Sequence, residues 1–192
     1  MAAVSTPDIN HLVPGRGCGT CDSCCIWLTI DDPELRKAQG HRCGNLRSDH
    51  ACAIYPSRPR TCRDYYCGFR RLDWVPDTLR PDLSSVLIGL QYDAPPSNPD
   101  RHLGLSFSLL SDAALDAEWL AETVAAAVAS GLPVWLHVPG PPGHTAAVAR
   151  IDAVLREPVR TGDLATVLRI LRLVHGRGKQ GDFEPVVFED VR

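Results

Sequence analysis

The residues best suited to chemistry in this 192-residue sequence are its eight cysteines, four of which lie in the stretch CGTCDSCC. The whole set follows the pattern C-x2-C-x2-C-C-x17-C-x8-C-x9-C-x4-C and consists of Cys18, Cys21, Cys24, Cys25, Cys43, Cys52, Cys62 and Cys67. A C-x2-C pair turns tightly enough to direct two sulfurs at one ion, and Gly17 and Gly19 ease the backbone there. The spacing therefore predicts metal binding by thiolates.

A disulfide framework and a set of unrelated buried thiols compete with metal binding. An even number of cysteines allows disulfides, but the N-terminal MAAVSTPDIN lacks the basic start and apolar stretch of a secretory signal. We therefore expect a cytoplasmic protein, whose thiols stay reduced. Unrelated buried thiols would be scattered through apolar stretches, whereas these cysteines flank Gly, Arg, Asp and His. Metal binding accounts best for the clustering.

The identity of the metal is left open between zinc and iron. Zinc takes four ligands in a closed site, and eight cysteines divide into two sets of four. An iron–sulfur cluster also takes four thiolates, and C-x2-C-x2-C begins a bacterial ferredoxin run, which Cys25 interrupts. The broken spacing leans the prediction to zinc. Adjacent side chains point to opposite sides of an extended backbone, so Cys24 and Cys25 should serve different metals or different corners of one polynuclear cluster.

Basic residues and histidines accompany the cysteines. Arg58, Arg60 and Arg63 interleave with a cysteine in YPSRPRTCRDYYC, where guanidinium groups would either hydrogen-bond sulfur or face solvent or phosphate. His41 and His50 each stand two residues before a cysteine. With eight sulfurs present, we treat these two histidines as bystanders rather than ligands.

The charge distribution divides the chain into parts. Residues 15–72 carry ten Arg and Lys against six Asp and Glu, a balance of +4, whereas residues 73–192 carry ten against sixteen, a balance of −6. We predict a flexible N-terminus (1–14), a cysteine-rich metal-binding module with little regular structure (15–72) and a small α+β unit packed against it (73–192). A net charge of −3 and the lack of a long apolar run favour neither nucleic acid nor membrane as a partner. A protein partner, of unknown kind, remains compatible with the sequence.

The second unit reads as α+β, with about three helices and a short sheet. SSVLIGLQY, HLGLSFSLL and PVWLHV are typical of strands, and a helix is predicted over residues 112–130. Two more helices are expected, one presenting Val148, Ile151 and Leu155, the other capped by Asp163. The segment HGRGKQGD is predicted to be mobile, and EPVVFEDV to add a last strand.

No catalytic residue can be assigned in this unit. PVWLHVPGPPGHTAAV has the outline of an anion-binding strand–turn–helix but lacks the Gly-Lys-Ser/Thr ending of a phosphate loop, so residues 139–143 are predicted to form a structural turn. His137, in an apolar strand, is predicted to be a core histidine with satisfied hydrogen bonds rather than a ligand or base. His144, at the start of an expected helix, and His175, near the end of another, fit capping roles.

CGTCDSCC, then CGNL, then CAIYPSRPRTCRDYYC resemble the CxxCxxCC cysteine-cluster family, a zinc- or iron-chelating domain, over residues 15–72. LRPDLSSV, just beyond, also resembles members of that group. The resemblance implies metal chelation by the eight cysteines, with the metal serving a structural or binding role. One branch that resembles this domain, the flagellin lysine methylase, is an enzyme. The alternative is therefore an enzyme that uses an iron–sulfur centre or open metal site for methyl transfer or redox chemistry.

Overall fold

The protein is a mixed helix and sheet structure, as the sequence predicts. A computed structural model describes residues 11–188. It contains seven α-helices and two antiparallel or mixed sheets in that range. Within the described range, no helix has the length and apolar character needed to span a membrane.

The cysteine-rich segment has little regular structure, in agreement with its sequence. A short hairpin pairs β1 (Ile30–Asp32) with β2 (Leu35–Lys37), and the helices are single turns. These helices are α1 (Ser23–Trp27), α2 (Arg60–Asp64) and α3 (Gly68–Arg71). Each α-helix here is five residues or shorter, so the segment depends on tertiary contacts for its shape.

A four-stranded sheet forms the centre of the second unit, after the short helix α4 (Pro81–Ser84). Its strands, in spatial and chain order, are β3 (Val86–Tyr92), β4 (Leu103–Leu109), β5 (Val134–Val138) and β6 (Ala147–Arg150). Strands β3 and β4 form an antiparallel hairpin, and β5 and β6 are also antiparallel. Strands β4 and β5 run parallel, because the chain crosses over between them through the helix α5 (Glu118–Ala129).

The core lies between one face of this sheet and the helices. After β6 come α6 (Asp152–Thr161) and α7 (Leu164–Lys179), and both pack with α5. Asp163 caps α7 as predicted, since its carboxylate accepts a hydrogen bond from the Thr166 N–H at 2.9 Å. The apolar side chains enclosed in the core include Leu105, Phe107, Leu120, Val124, Leu136, Ile151, Leu155, Val167 and Leu171.

One predicted helix is shorter than expected, because its beginning is a strand. The residues before Ile151 form β6, where Val148 pairs with His137 and is 55% exposed. Ile151 and Leu155 are buried as expected, but the helix starts only at Asp152. The prediction was wrong because pairing with β5 overrides the helical spacing of these apolar residues. His144 consequently stands in a turn before a strand and not at a helix start.

The predicted mobile segment continues helix α7. This helix runs through His175 to Lys179 despite two glycines. A Cβ at Gly178 would lie 2.8 Å from Val138 Cγ2, so the glycine lets the helix approach the sheet closely. The predicted last strand is reduced, within residues 184–188, to a single bridge between His144 and Pro185. Residues 189–191 of that prediction lie outside the described residues.

The cysteine-rich segment and the α+β unit share contacts across the predicted boundary. Arg16 donates hydrogen bonds from its guanidinium to the carbonyl oxygens of Phe69, Leu72 and Val75. Leu72 and Val75 belong to the same buried cluster as the sheet. Of the predicted flexible N-terminus only residues 11–14 are described, and there the Val13 N–H donates to Arg70 O at 2.9 Å.

The turn at residues 139–143 forms backbone hydrogen bonds with two distant segments of the chain. The Gly143 N–H donates to Gln39 O at 2.8 Å, and the Val186 N–H donates to Gly143 O at 2.8 Å. Gly143 has φ +85°, a conformation that favours glycine. Next to it, a Cβ at Gly40 would lie 2.8 Å from Pro142 Cα, so these two chains pass in close contact. The turn therefore has a structural role of the kind that its sequence predicts.

Candidate metal centre

Cys24 and Cys25 lie side by side on α1. The prediction from the sequence assumed extended backbone at this pair, whereas the structure is helical here. Successive side chains on a helix diverge by about 100°, yet these two thiols are close enough to share a side-chain hydrogen bond. The interaction between the two thiols raises the pKa of Cys24 and lowers that of Cys25 to about 7. The pair therefore gives up one proton readily and holds the second.

Four cysteines are linked by their electrostatic effects on one another, and we call them group one. The members are Cys18, Cys21, Cys24 and Cys67. The Cys21 N–H donates to Cys18 O at 2.9 Å, which is the tight turn expected of C-x2-C, and Gly19 takes φ +56° within it. Burial raises the pKa of Cys67 to about 11, and negative charge at Cys18 and Cys21 acts in the same direction. Charge at Cys18 and Cys67 likewise contributes to the raised pKa of Cys24.

The remaining four cysteines are likewise linked by electrostatic effects, and we call them group two. The members are Cys25, Cys43, Cys52 and Cys62. The Cys43 N–H donates to Cys25 O at 3.0 Å, which brings the buried Cys43 against α1. Burial raises the pKa of Cys62, and negative charge at Cys25, Cys43 and Cys52 raises it further. These effects favour a division of the eight cysteines into four and four, while the strongest interaction links Cys24 and Cys25 across that division.

Neither group forms a finished coordination shell. All eight cysteines are free thiols, so the disulfide framework is not formed. Across residues 11–188, no three side chains of His, Cys, Asp or Glu converge closely enough to hold a metal ion. The thiols are gathered near one another, but their sulfurs would have to turn inward before four of them could share one ion.

A lysine that the sequence did not single out lies beside group two. Lys37 is only 6% exposed, and its ammonium group donates hydrogen bonds to the carbonyl oxygens of Ile26, Leu28 and Ala38. No carboxylate of the described chain forms an ion pair with it. Burial lowers the pKa of Lys37, while negative charge at Cys43 and Cys25 acts in the opposite direction. The thiols are therefore the nearest groups able to supply a counter-charge.

Only one of the three predicted arginines acts on the thiols. Arg58 stacks over Tyr55 at 4.1 Å, and its positive charge helps to lower the pKa of Cys25. Arg60 pairs with Asp64 at 3.1 Å on the surface, and Arg63 is exposed. Of the two roles left open for these arginines, Arg58 fits the one near sulfur, whereas Arg60 and Arg63 face solvent.

The two histidines near the cysteines have other neighbours. His50 Nδ1 lies 2.7 Å from Asp22 Oδ2, and His41 lies beside Gly143. The treatment of both histidines as bystanders stays a prediction.

An open cleft of about 440 Å³ adjoins group one. Asp22, Ser23, Trp27 and Asp82 are among its lining residues. Cys21 Sγ lies 3.6 Å from Ser23 Oγ, and the pKa of Asp82 is lowered mainly by its ion pair with Arg80, with a smaller contribution from the Cys21 thiol. Sequence reasoning missed Asp82, because it follows the last cysteine by 15 positions and only the fold returns it to the cysteine loop.

No protein-family model matches this sequence, and no curated protein or solved structure is similar to it. The resemblance to the cysteine-cluster family stays a prediction. Function therefore has to be inferred from the thiols and their surroundings.

Proposed function

We propose that this protein binds metal through two groups of four cysteine thiolates, with the metal holding the cysteine-rich segment in shape or presenting it to a partner. Group one would provide Cys18, Cys21, Cys24 and Cys67, and group two Cys25, Cys43, Cys52 and Cys62. Zinc is favoured over an iron–sulfur cluster, because each group offers the four ligands of a closed zinc site and the ferredoxin spacing is interrupted. Free thiols suit a reducing compartment such as the cytoplasm.

The observation that carries this proposal is the environment of Lys37. A buried ammonium loses its hydration at a cost of several kcal/mol unless negative charge lies nearby. Three carbonyl dipoles surround Lys37, yet no described carboxylate pairs with it. Four thiolates around one divalent ion carry a net charge of −2, which would compensate the lysine. Four neutral thiols would not.

Metal binding would require the thiols to turn toward a common centre, because no three donors converge in the described chain. The cysteines lie on single-turn helices and connecting segments rather than in long regular elements. The energy of thiolate coordination, on the order of 10 kcal/mol for a structural zinc site, is ample for such a rearrangement.

The direct test is elemental analysis and a visible spectrum of the tag-free full chain, purified without oxygen. The expected result is two equivalents of zinc per chain and a colourless protein. A brown protein with iron and acid-labile sulfide would keep the thiolate proposal and replace zinc by an iron–sulfur cluster. Protein that contains no metal, and takes up neither zinc nor iron when supplied, would refute the proposal.

Catalysis at group one is a second candidate, because Cys18 is exposed and the cleft lined by Asp22 and Asp82 opens beside this group. An exchangeable ligand position would favour it. Cobalt-substituted protein provides the test, because cobalt absorption bands change with the ligand set. If group one is open, added azide will shift the bands of one cobalt equivalent. Unchanged bands at both equivalents would indicate two closed, non-catalytic sites.

A further inference from the structure

A second cleft lies at the carboxyl ends of strands β4 and β5 and shares Trp27 with the first. Its volume is about 570 Å³, and residues 109–112 and 138–141 line it. Trp27 and Phe183 are also among its lining residues. Strands β4 and β5 are the parallel pair of the sheet, and ligands in open sheets of this kind bind in the crevice beyond the carboxyl ends of parallel strands. Its position therefore fits a ligand site.

The polar groups of this cleft are two nitrogen donors that share one oxygen. His175 Nε2 lies 3.4 Å from Asp112 Oδ1, and Lys179 Nζ lies 3.2 Å from the same oxygen. Histidine and lysine stand four residues apart on α7, so they project from the same side of the helix. His175 is 6% exposed and fixed in place, whereas the Asp112 carboxylate is on the surface, with its side chain 70% exposed. Lys179, whose side chain is 53% exposed, donates a hydrogen bond to this carboxylate, and the buried His175 Nε2 lies beside the same oxygen, where solvent can reach the pair.

The other surfaces of the cleft are mostly apolar. Trp27, Leu109, Val138 and Phe183 provide aromatic and aliphatic contact area next to the donors. A pocket with an apolar lining and a few convergent polar groups is typical of a small-molecule site. The ligand should therefore combine one anionic group with an apolar body.

The charge balance selects a carboxylate among the anionic groups. Lys179 is the one formal cation of this cleft, with His175 as the second donor and Asp112 as an internal anion. A dianionic phosphate would meet too little positive charge here, and a carboxylate matches the group that Asp112 already presents.

We propose that this cleft binds small organic carboxylates with an aromatic or aliphatic body. The carboxylate would take the place of the Asp112 side chain on His175 and Lys179, and the body would lie against Trp27 and Phe183. This proposal does not depend on metal at the cysteines, since none of them lines the cleft.

The test is calorimetric titration of the full chain, as purified, with phenylacetate and hexanoate. Phenylacetamide and 2-phenylethylamine serve as the matched neutral and cationic probes. At least one carboxylate should bind saturably, and each matched probe about ten-fold or more weakly. Lys179→Met should weaken carboxylate binding by about ten-fold or more. Asp112→Asn should strengthen it several-fold, because the competing carboxylate is removed.

The control variant is Arg177→Met, which removes an exposed cation from the same last turn of α7 without touching the cleft. It should bind carboxylate as the wild type does. The proposal is overturned if neither carboxylate binds, if the amine binds equally well, or if Lys179→Met and Arg177→Met behave alike.

Discussion

The ammonium group of Lys37 donates a hydrogen bond to the carbonyl oxygen of Ile26 at 2.8 Å, immediately after the Cys24–Cys25 pair. This contact joins the end of β2 to α1. It also places a buried positive charge within reach of group two, while the described residues provide no carboxylate partner for it. The contribution of Lys37 to stability should therefore depend on whether the thiols carry charge.

Replacing Lys37 by Met should destabilise the metal-loaded protein more than the metal-free protein. In the loaded protein the variant loses attraction to the thiolate centre, and we expect the affinity of one metal equivalent to fall by about ten-fold. In the metal-free protein the ammonium is buried without a counter-ion, so its removal relieves a desolvation penalty. Denaturant unfolding and chelator competition measure the two effects, with the exposed Arg177→Met as control. Equal destabilisation with and without metal would show that Lys37 acts only through its backbone hydrogen bonds.

The division of the cysteines predicts paired phenotypes. Cys24→Ser and Cys67→Ser should each lose the same metal equivalent, because serine is a poor substitute for a thiolate and both residues belong to group one. Cys25→Ser and Cys62→Ser should each lose the other equivalent. Elemental analysis of the single variants measures the stoichiometry. The combination of Cys24→Ser with Cys67→Ser should lose no more than either change alone, whereas Cys24→Ser with Cys25→Ser should lose both equivalents. Loss of all metal in every single variant would instead indicate one polynuclear cluster.

His137 should make the protein less stable in mild acid. Its Nε2 is buried and has no hydrogen-bond partner within residues 11–188, and burial lowers its pKa below the ordinary 6.5. The unfolded chain binds a proton near pH 6.5 that the native protein resists, so stability is lost as the pH falls below about 6.5 toward the native pKa. Burial lowers the pKa of His175 as well, so some acid sensitivity will remain without His137.

The measurement is the unfolding free energy of wild type and His137→Leu at pH 8, 7, 6 and 5. The variant should lose less stability between pH 7 and pH 5. At pH 8 it should be as stable as the wild type or more stable by about 1 kcal/mol, because an unpaired buried nitrogen is removed. Parallel curves for the two proteins would show that His137 does not resist protonation.

Substitution by alanine should have opposite effects on stability at two of the glycines. A Cβ at Gly68, at the start of α3, would lie 2.6 Å from Ile88 Cγ2 on the central sheet. Gly68→Ala should therefore destabilise the protein by about 1–3 kcal/mol through overpacking. Gly176 lies within α7 with no atom within 4 Å of an added Cβ, so Gly176→Ala should stabilise the helix by about 0.5–1 kcal/mol. Thermal or denaturant unfolding measures both. Tolerance of alanine at Gly68 would mean that α3 can move away from β3.

Elements with strong local patterns could be predicted from the sequence. Strands β3, β4 and β5 are apolar runs bounded by turn residues, and α7 combines a helical apolar face with the Asp163 cap. Strand β6 could not be predicted in this way. Its residues Ala147–Arg150 are half exposed and of weak pattern, and only pairing with β5 makes them a strand. The extension of α7 was missed because its glycines suggest a break, while contact with Val138 requires one of them.

The candidate site was predictable in its residues but not in their grouping. The clustering of cysteines in CGTCDSCC is visible in the sequence, and it led to the expectation that neighbouring cysteines would serve different centres. Which later cysteine joins which group depends on how α3 and the segment around Cys43 return to α1. Lys37 was missed for the same reason. It is one of only two lysines in the chain, yet nothing in its neighbours indicates that its ammonium group is buried.

The turn at residues 139–143 should affect how cooperatively the protein unfolds. Gly143 forms backbone hydrogen bonds with Gln39, in the cysteine-rich segment, and with Val186, near the C-terminus. Loss of order around the cysteines would leave the Gly143 N–H without its acceptor and weaken the attachment of the C-terminal segment. The chain should then melt cooperatively rather than as two independent pieces. A fragment that begins near residue 73 would keep the turn but would lose Gln39, whose carbonyl oxygen accepts the hydrogen bond from the turn.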